Sequence, residues 1–199
     1  MYLYAQEWAE KSVGRRNRHR FLDEVTARCQ MINGLIISTL CRDHAYRFIK
    51  LGHLLERADM TTRIIDVGAG ALLGDERNHP LVDPLIWAAL LQSLSAMGTY
   101  RRTIGPLVEV ESVVDFVFRE STLPRSVRFC LNGIRTELAP LKNNGEALRN
   151  LERSRRRLSR FRVEEASREE LHAFIDRFQS GLNELSEIIS TTWFQPHPS

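Results

Sequence analysis

The sequence predicts an all-α fold, a multi-helix bundle with no significant sheet. Three observations carry this. Apolar residues recur at intervals of three and four through almost the whole chain, and no segment alternates with period two long enough to make a convincing strand. Cap residues, prolines and glycines also fall where that periodicity starts and stops.

Taken in order, "MYLYAQEWAE" reads as the tail of a helix already under way, since no cap precedes its aromatics. Phe21, Val25, Ile32, Leu35 and Ile36 share one arc, which predicts a helix up to about Leu40. Asp43 can N-cap the next helix, which runs through "YRFIKLGHLLERADMTTRIID" (46–66) to stops at Gly68 and Gly70. Residues 70–82 read as a loop, with Gly74, Asn78 and Pro80. Asp83-Pro84 restarts a helix in the order cap, then proline in the first turn, and its stripe is Trp87, Leu90, Leu91, Leu94 and Met97.

Gly105-Pro106 breaks that pattern, and a short helix follows around 111–119. Pro124 opens another, with Val127, Leu131, Ile134 and Leu138 on one side and Pro140 near its end. Asn143-Asn144-Gly145 is a turn. "SREE" (167–170) is a capping box that opens a long last helix, whose stripe is Leu171, Phe174, Ile175, Phe178, Leu182, Leu185 and Ile189.

The 199 residues fit one domain, read here as 1–199, and 43% hydrophobic against 27% charged residues is a globular balance. The formal charge is only +3, made from 25 arginines and 3 lysines. That skew reads as the coding bias of a GC-rich bacterial genome rather than as a polyanionic partner. Cys29, Cys41 and Cys130 lack metal spacing and disulfide density, so they read as reduced, partly buried thiols. No basic segment followed by an apolar run marks a signal peptide, and "LIWAALL" is far shorter than the ~20 residues of a membrane span. The expected location is the cytoplasm, with no membrane.

On a helical wheel, Leu51, Leu54, Leu55, Ala58, Thr62 and Ile65 form the core side of the quoted helix. Gly52, Glu56, Asp59, Arg63 and Asp66 share the adjacent arc, while Lys50, Arg57 and Ile64 lie on the far side. A bland reading is a row of surface pairs, each worth about 0.2–0.5 kcal/mol. Against it, Arg28 lies on the Phe21/Val25/Ile32/Leu35 arc, and Arg101 lies one turn past Met97 on the Leu90/Leu94 arc. Charges placed there must be paired or snorkel out. The resulting expectation is a polar, partly buried pocket of Glu56, Asp59 and Arg63, with Arg28 and Arg101 opposite.

Other signals carry less. Arg149, Arg153, Arg156 and Arg160 share one helix face, but acidic "VEEASREE" follows and no aromatics interleave, so a solvated face is expected rather than nucleic-acid binding. "RRNRHR" (15–20) reads the same way. "GAGALLG" (68–74) ends a helix instead of opening one, which disqualifies it as a phosphate loop. Glu56 and Asp59 have the spacing of a metal half-site, yet no histidine stands in ligand register, so no metal is assigned.

At "DHAYRFIKLGHLLERADMTTRIIDV" the chain resembles the bacterial alpha-E family, whose hallmark is similar to D-x-A-x-x-F-x-x-L-G-R-x-L-E-R-A-D-M-T-x-R-I-L-D. The match carries Asp43, Phe48, Leu51, Gly52, Leu55, Glu56, Arg57, Ala58, Asp59, Thr62, Arg63 and Asp66, supported by "NRHRFLDEV", "WAALLQSLSA" and "LPRSVRFCL". His53 departs from the pattern, which has arginine there. The resemblance implies that family members are longer, with an earlier L-E-R-A-E-x-T-A-R helix, so that this chain would be the C-terminal two-thirds of the family fold. It also implies work beside a circularly permuted ATP-grasp protein and a transglutaminase-like protein in peptide modification, with any ATP held by the partner and no cofactor in this chain.

The expected function is therefore a helical accessory or binding protein of an ATP-grasp-associated, amide-ligating system. Glu56, Arg57, Asp59 and Arg63, with Arg28 and Arg101, would bind a polar ligand or partner segment. Two alternatives stand beside it: an enzyme that makes or breaks amides with Glu56 as acid or base, and a scaffold whose charges fix helix register. Self-association is left open.

Overall fold

Asp43, Ser126 and Ser167 cap the starts of three helices with their side chains. In the computed structural model, which describes residues 2–8, 14–71 and 82–195, the described residues form α1 (Tyr2–Trp8), α2 (Arg15–Thr39), α3 (His44–Ala71), α4 (Val82–Ser93), α5 (Met97–Thr103), α6 (Val110–Arg119), α7 (Val127–Leu138), α8 (Gly145–Arg160) and α9 (Arg168–Trp193). No strand occurs among them. Among the described residues no helix is long and apolar enough to cross a membrane. The chain forms two compact units, Met1–Tyr46 and Arg47–Ser199, divided within the first turn of α3.

The N-terminal unit is held by aromatic contacts. Tyr4 of α1 stacks on Phe21 of α2, with centroids 5.9 Å apart, and the Arg28 guanidinium lies 4.2 Å from the Tyr4 ring centroid. Beyond this contact α2 is open: Met31, Leu35 and Ile37 are exposed, and no described residue of α2 is fully buried. On the arc that carries Arg28, Phe21, Val25 and Ile36 are half-buried, and the arginine finds its partners, Glu24 and Tyr4, within this unit. The Asp43 cap is as expected, its Oδ1 accepting the Tyr46 backbone N–H at 3.1 Å.

The second unit contains the core. α3 contributes Leu51, Leu54, Ala58, Ile65 and Ala69, all buried. α9 supplies the stripe the sequence marks, with all seven of its residues buried. Phe161 stacks on Phe174 of α9 at 4.0 Å, and Phe118 of α6 and Phe178 extend the cluster. Burying each such side chain contributes about 1.5–3 kcal/mol before its entropy cost.

Two local expectations are corrected. Gly68 and Gly70 do not stop α3, which continues to Ala71. Gly68 is instead a packing residue: a Cβ there would stand 2.7 Å from Leu90 Cδ1 and 3.5 Å from the Trp87 ring, so its absence lets α4 approach. The helix begun at Asp83-Pro84 also does not continue through Met97. It ends at Ser93, Ser95 takes a left-handed φ of 53°, and the Ala96 N–H closes onto the Leu91 carbonyl at 2.8 Å in a Schellman arrangement. α5 then starts afresh. Cys29 and Cys41 are exposed and Cys130 alone is buried, so the thiols do not share one environment.

The capping box at the start of α9 is present in full. Ser167 Oγ accepts from the Glu170 N–H at 3.2 Å, and the Glu170 carboxylate accepts from the Ser167 N–H at 2.8 Å. Ser167→Ala is expected to cost about 0.5–2 kcal/mol, read as a lower urea midpoint at unchanged m-value.

Candidate functional site

α3 carries the candidate residues because its core arc is narrow and leaves two flanks. On one flank Asp59 Oδ2 accepts from Arg63 Nε at 2.7 Å, as an i, i+4 pair should. The Asp59 side chain is only 18% exposed, and its Oδ1 is buried with no hydrogen-bond partner. The hydrogen bond that Arg63 donates to Asp59, then the Asp59 charge, holds the Arg63 guanidinium above its ordinary pKa, and Glu56 adds to this. Glu56 itself is exposed. The structure thus joins Asp59 and Arg63 and leaves Glu56 one turn away in water.

Arg28 pairs with Glu24 at 2.8 Å inside the N-terminal unit and stacks over Tyr4. Arg101 is exposed in the last turn of α5. Its expected position came from a wheel drawn continuously through Met97, and the break at Ser95 resets that phase. Among the described residues no hydrogen bond or ion pair joins Arg101 to Glu56, Asp59 or Arg63.

Arg57 is half-buried and works on architecture. Its Nη1 donates to the Pro124 carbonyl at 3.3 Å, and Thr61 Oγ1 donates to the Arg125 carbonyl at 2.9 Å, fastening the segment before α7 to α3. Arg125 Nη1 donates to the Ser93 carbonyl at 2.9 Å, which ties the same segment to the end of α4. Burial pushes the Cys130 thiol up to about 11, with the Arg57 charge opposing, so Cys130 is an inert core thiol.

Towards α9, Gln179 Nε2 donates to Thr62 Oγ1 at 3.1 Å, and His172 Nδ1 meets Asp66 Oδ1 at 2.6 Å. The hydrogen bond to Asp66, then the charges of Asp66 and Asp176, raises the His172 pKa. A raised folded-state pKa means the contribution is fully present below the ordinary histidine pKa and is lost as pH rises through the raised one. The stability advantage of the natural protein over His172→Gln is thus expected to be larger at pH 5.5 than at pH 8.5, measured by urea unfolding at both.

The sequence did not reveal what lies on the other flank. Met60, Ile64 and Val67 of α3 face Ile86, Ala89 and Leu90 of α4 across an apolar groove of about 400 Å³, with Arg63 on its lip. Met60 is 51% and Val67 71% exposed. The available signal was the i, i+4, i+7 spacing of Met60, Ile64 and Val67, a second apolar stripe outside the core arc. Among the described residues no three His, Cys, Asp or Glu side chains come together as a metal site.

A family model, Alpha-E, described as a predicted alpha-helical domain with a conserved ER motif, matches residues 1–194. Among the described residues, Glu-Arg pairs stand at Glu56-Arg57 on α3 and Glu152-Arg153 on α8. No curated protein and no solved structure matches the chain.

Proposed function

The chain belongs to the Alpha-E family, and from that membership we propose that it is a helical accessory protein that docks a partner polypeptide in an ATP-grasp-associated peptide-modification system. The observation that carries this reading is the α3–α4 groove, an open apolar trough beside the Glu-Arg stripe of α3. An amphipathic helix or short apolar segment of an ATP-grasp-type partner would lay its anchors against Met60, Ile64 and Val67, as helix-in-groove recognition does. Arg63 on the lip and exposed Glu56 would set orientation through charges flanking those anchors. Arg57 positions the segment before α7 rather than touching the partner. ATP would be bound by the partner, and a transglutaminase-like protein would be the further member of the system.

Binding is favoured over catalysis by where Glu56 stands. An acid–base carboxyl needs to meet its substrate in a site that excludes water, and Glu56 is exposed and does not line the groove. The experiment is ATP-dependent amide formation by the genomically adjacent ATP-grasp-type protein, with and without this chain. The chain alone is expected to form no amide and to raise the partner's rate when added, and Glu56→Gln is expected to keep that effect at saturation, its lost charge showing only as weaker affinity for the partner. If the chain alone turns over an amide and Glu56→Gln abolishes this with the fold intact, the protein is an enzyme.

A further inference from the structure

A second concavity lies wholly within the C-terminal unit, between α6, α7 and α8, and its chemistry is opposite to that of the groove. Its volume is about 260 Å³, and its polar lining is Arg119, Arg128, Asn132, Arg155, Arg156 and Ser159. Leu131 and Leu158, both buried, make the floor, while Arg128, Arg156 and Ser159 are exposed at the mouth. Four arginines line a space large enough for a small molecule. We propose that this cavity binds a small phosphate-bearing anion.

The balance of charge supports it. Arg119 is committed to structure: it pairs with Asp115 and donates from Nη2 to the carbonyls of Leu158 (3.1 Å) and Phe161, closing the end of α8. Arg155 donates to Asn132 Oδ1 at 2.5 Å, and its Nε lies 3.5 Å from Glu152 Oε1, an oxygen that Arg135 also approaches at 3.4 Å. Arg156 donates from Nε to the Glu152 carbonyl at 3.2 Å, which leaves its terminal nitrogens free to turn to a ligand. Arg128 makes no side-chain hydrogen bond or ion pair among the described residues. Asp115 and the shared Glu152 are the carboxylates in ion-pair contact with this cluster, while Glu164 acts on Arg119 and Glu120 lies in the field of Arg128, which itself has no ion pair among the described residues. Burial is what chiefly draws the Arg119 pKa below its ordinary value; of the charges around it Glu164 opposes this most, and Arg128 and Arg162 add to it.

Arginine forks match phosphate oxygens in pairs, and a phosphate monoester offers three acceptors with nearly two charges. Asn132 and Ser159 add neutral hydrogen-bonding groups, and the leucine floor would receive the ester's apolar part. The cavity sits just below the ~300–1,000 Å³ of small-molecule pockets. It carries no aromatic platform of the kind that holds single-stranded nucleic acid.

The test is calorimetric titration of the purified full chain with orthophosphate, phenyl phosphate and citrate at constant ionic strength. Saturable binding of a phosphate is expected, weakened tenfold or more by Arg128→Ala, partly retained by Arg128→Lys, and unchanged by Arg149→Ala, an exposed arginine of α8 outside the cavity. Tighter phenyl phosphate assigns an ester as the ligand, and equal affinities assign free phosphate. Absence of saturable binding, citrate binding as tightly as phosphate, or an equal loss in Arg149→Ala overturns the proposal.

Discussion

Trp87→Ala is expected to lower folding stability by about 3–5 kcal/mol, the range for deleting a large buried aromatic. Trp87 is 0% exposed at the seam where α4 meets α3 beside Gly68. Its indole Nε1 is buried with no hydrogen-bond partner, so truncation breaks no polar contact and the whole cost is lost apolar transfer plus the cavity left behind. Trp87→Phe separates these terms. It removes the unpartnered N–H, whose burial is itself unfavourable, and keeps most of the apolar volume, so it should cost much less than Trp87→Ala. Urea denaturation followed by circular dichroism reads both, and a loss below about 1 kcal/mol for Trp87→Ala would mean that the α3–α4 seam is not part of the core.

Gly68 is the facing half of that seam, and its two substitutions should diverge. In Gly68→Ala the new Cβ meets the far end of Leu90, a flexible side chain already bordering the groove, which can swing away. That strain is offset by the ~1 kcal/mol of helix propensity gained on leaving glycine, and the sum should be near zero. Gly68→Leu must place three more carbons against Leu90 and the Trp87 ring 3.5 Å away. Overpacking of this kind costs about 1–3 kcal/mol, and the displaced side chains also fill the groove. The variant should therefore lose partner binding by more than its fraction unfolded explains, which thermal unfolding and binding titration on the same preparation would measure.

What could be read from the sequence was whatever is decided locally. The α9 stripe, its capping box and the Asp43 cap depend on residues within one or two turns of each other, and all are present. Positions decided by a neighbouring helix were read wrongly. Gly68 looks like a stop in isolation and becomes a contact residue only because Trp87 and Leu90 press on it. Ser95 carries no conspicuous turn signal, yet its left-handed φ ends α4 and turns Arg101 away from the arc a continuous wheel gives it. Arg28 stands on an apolar arc by spacing alone, and its partners come from within its own unit: Glu24 four residues before it and Tyr4 of α1.

The candidate site divides the same way. The Asp59–Arg63 pair is an i, i+4 feature and follows from spacing. The groove beside it needs α4 as its second wall, and Met60, Ile64 and Val67 alone say only that three apolar residues face away from the core. The arginine cavity gathers side chains from three helices between Arg119 and Ser159, so no local pattern announces it.

The central claim is that the α3–α4 groove holds the partner, and a binding titration against the purified ATP-grasp-type protein tests it most directly. Met60→Glu places a charge on an exposed position of the groove wall, where the fold tolerates it. This substitution is expected to raise Kd about thirtyfold or more, equivalent to the ~2 kcal/mol of an interface hot spot, while Arg101→Ala, outside the groove, leaves Kd unchanged. Equal Kd values for the natural protein and Met60→Glu, with both folded, would contradict it.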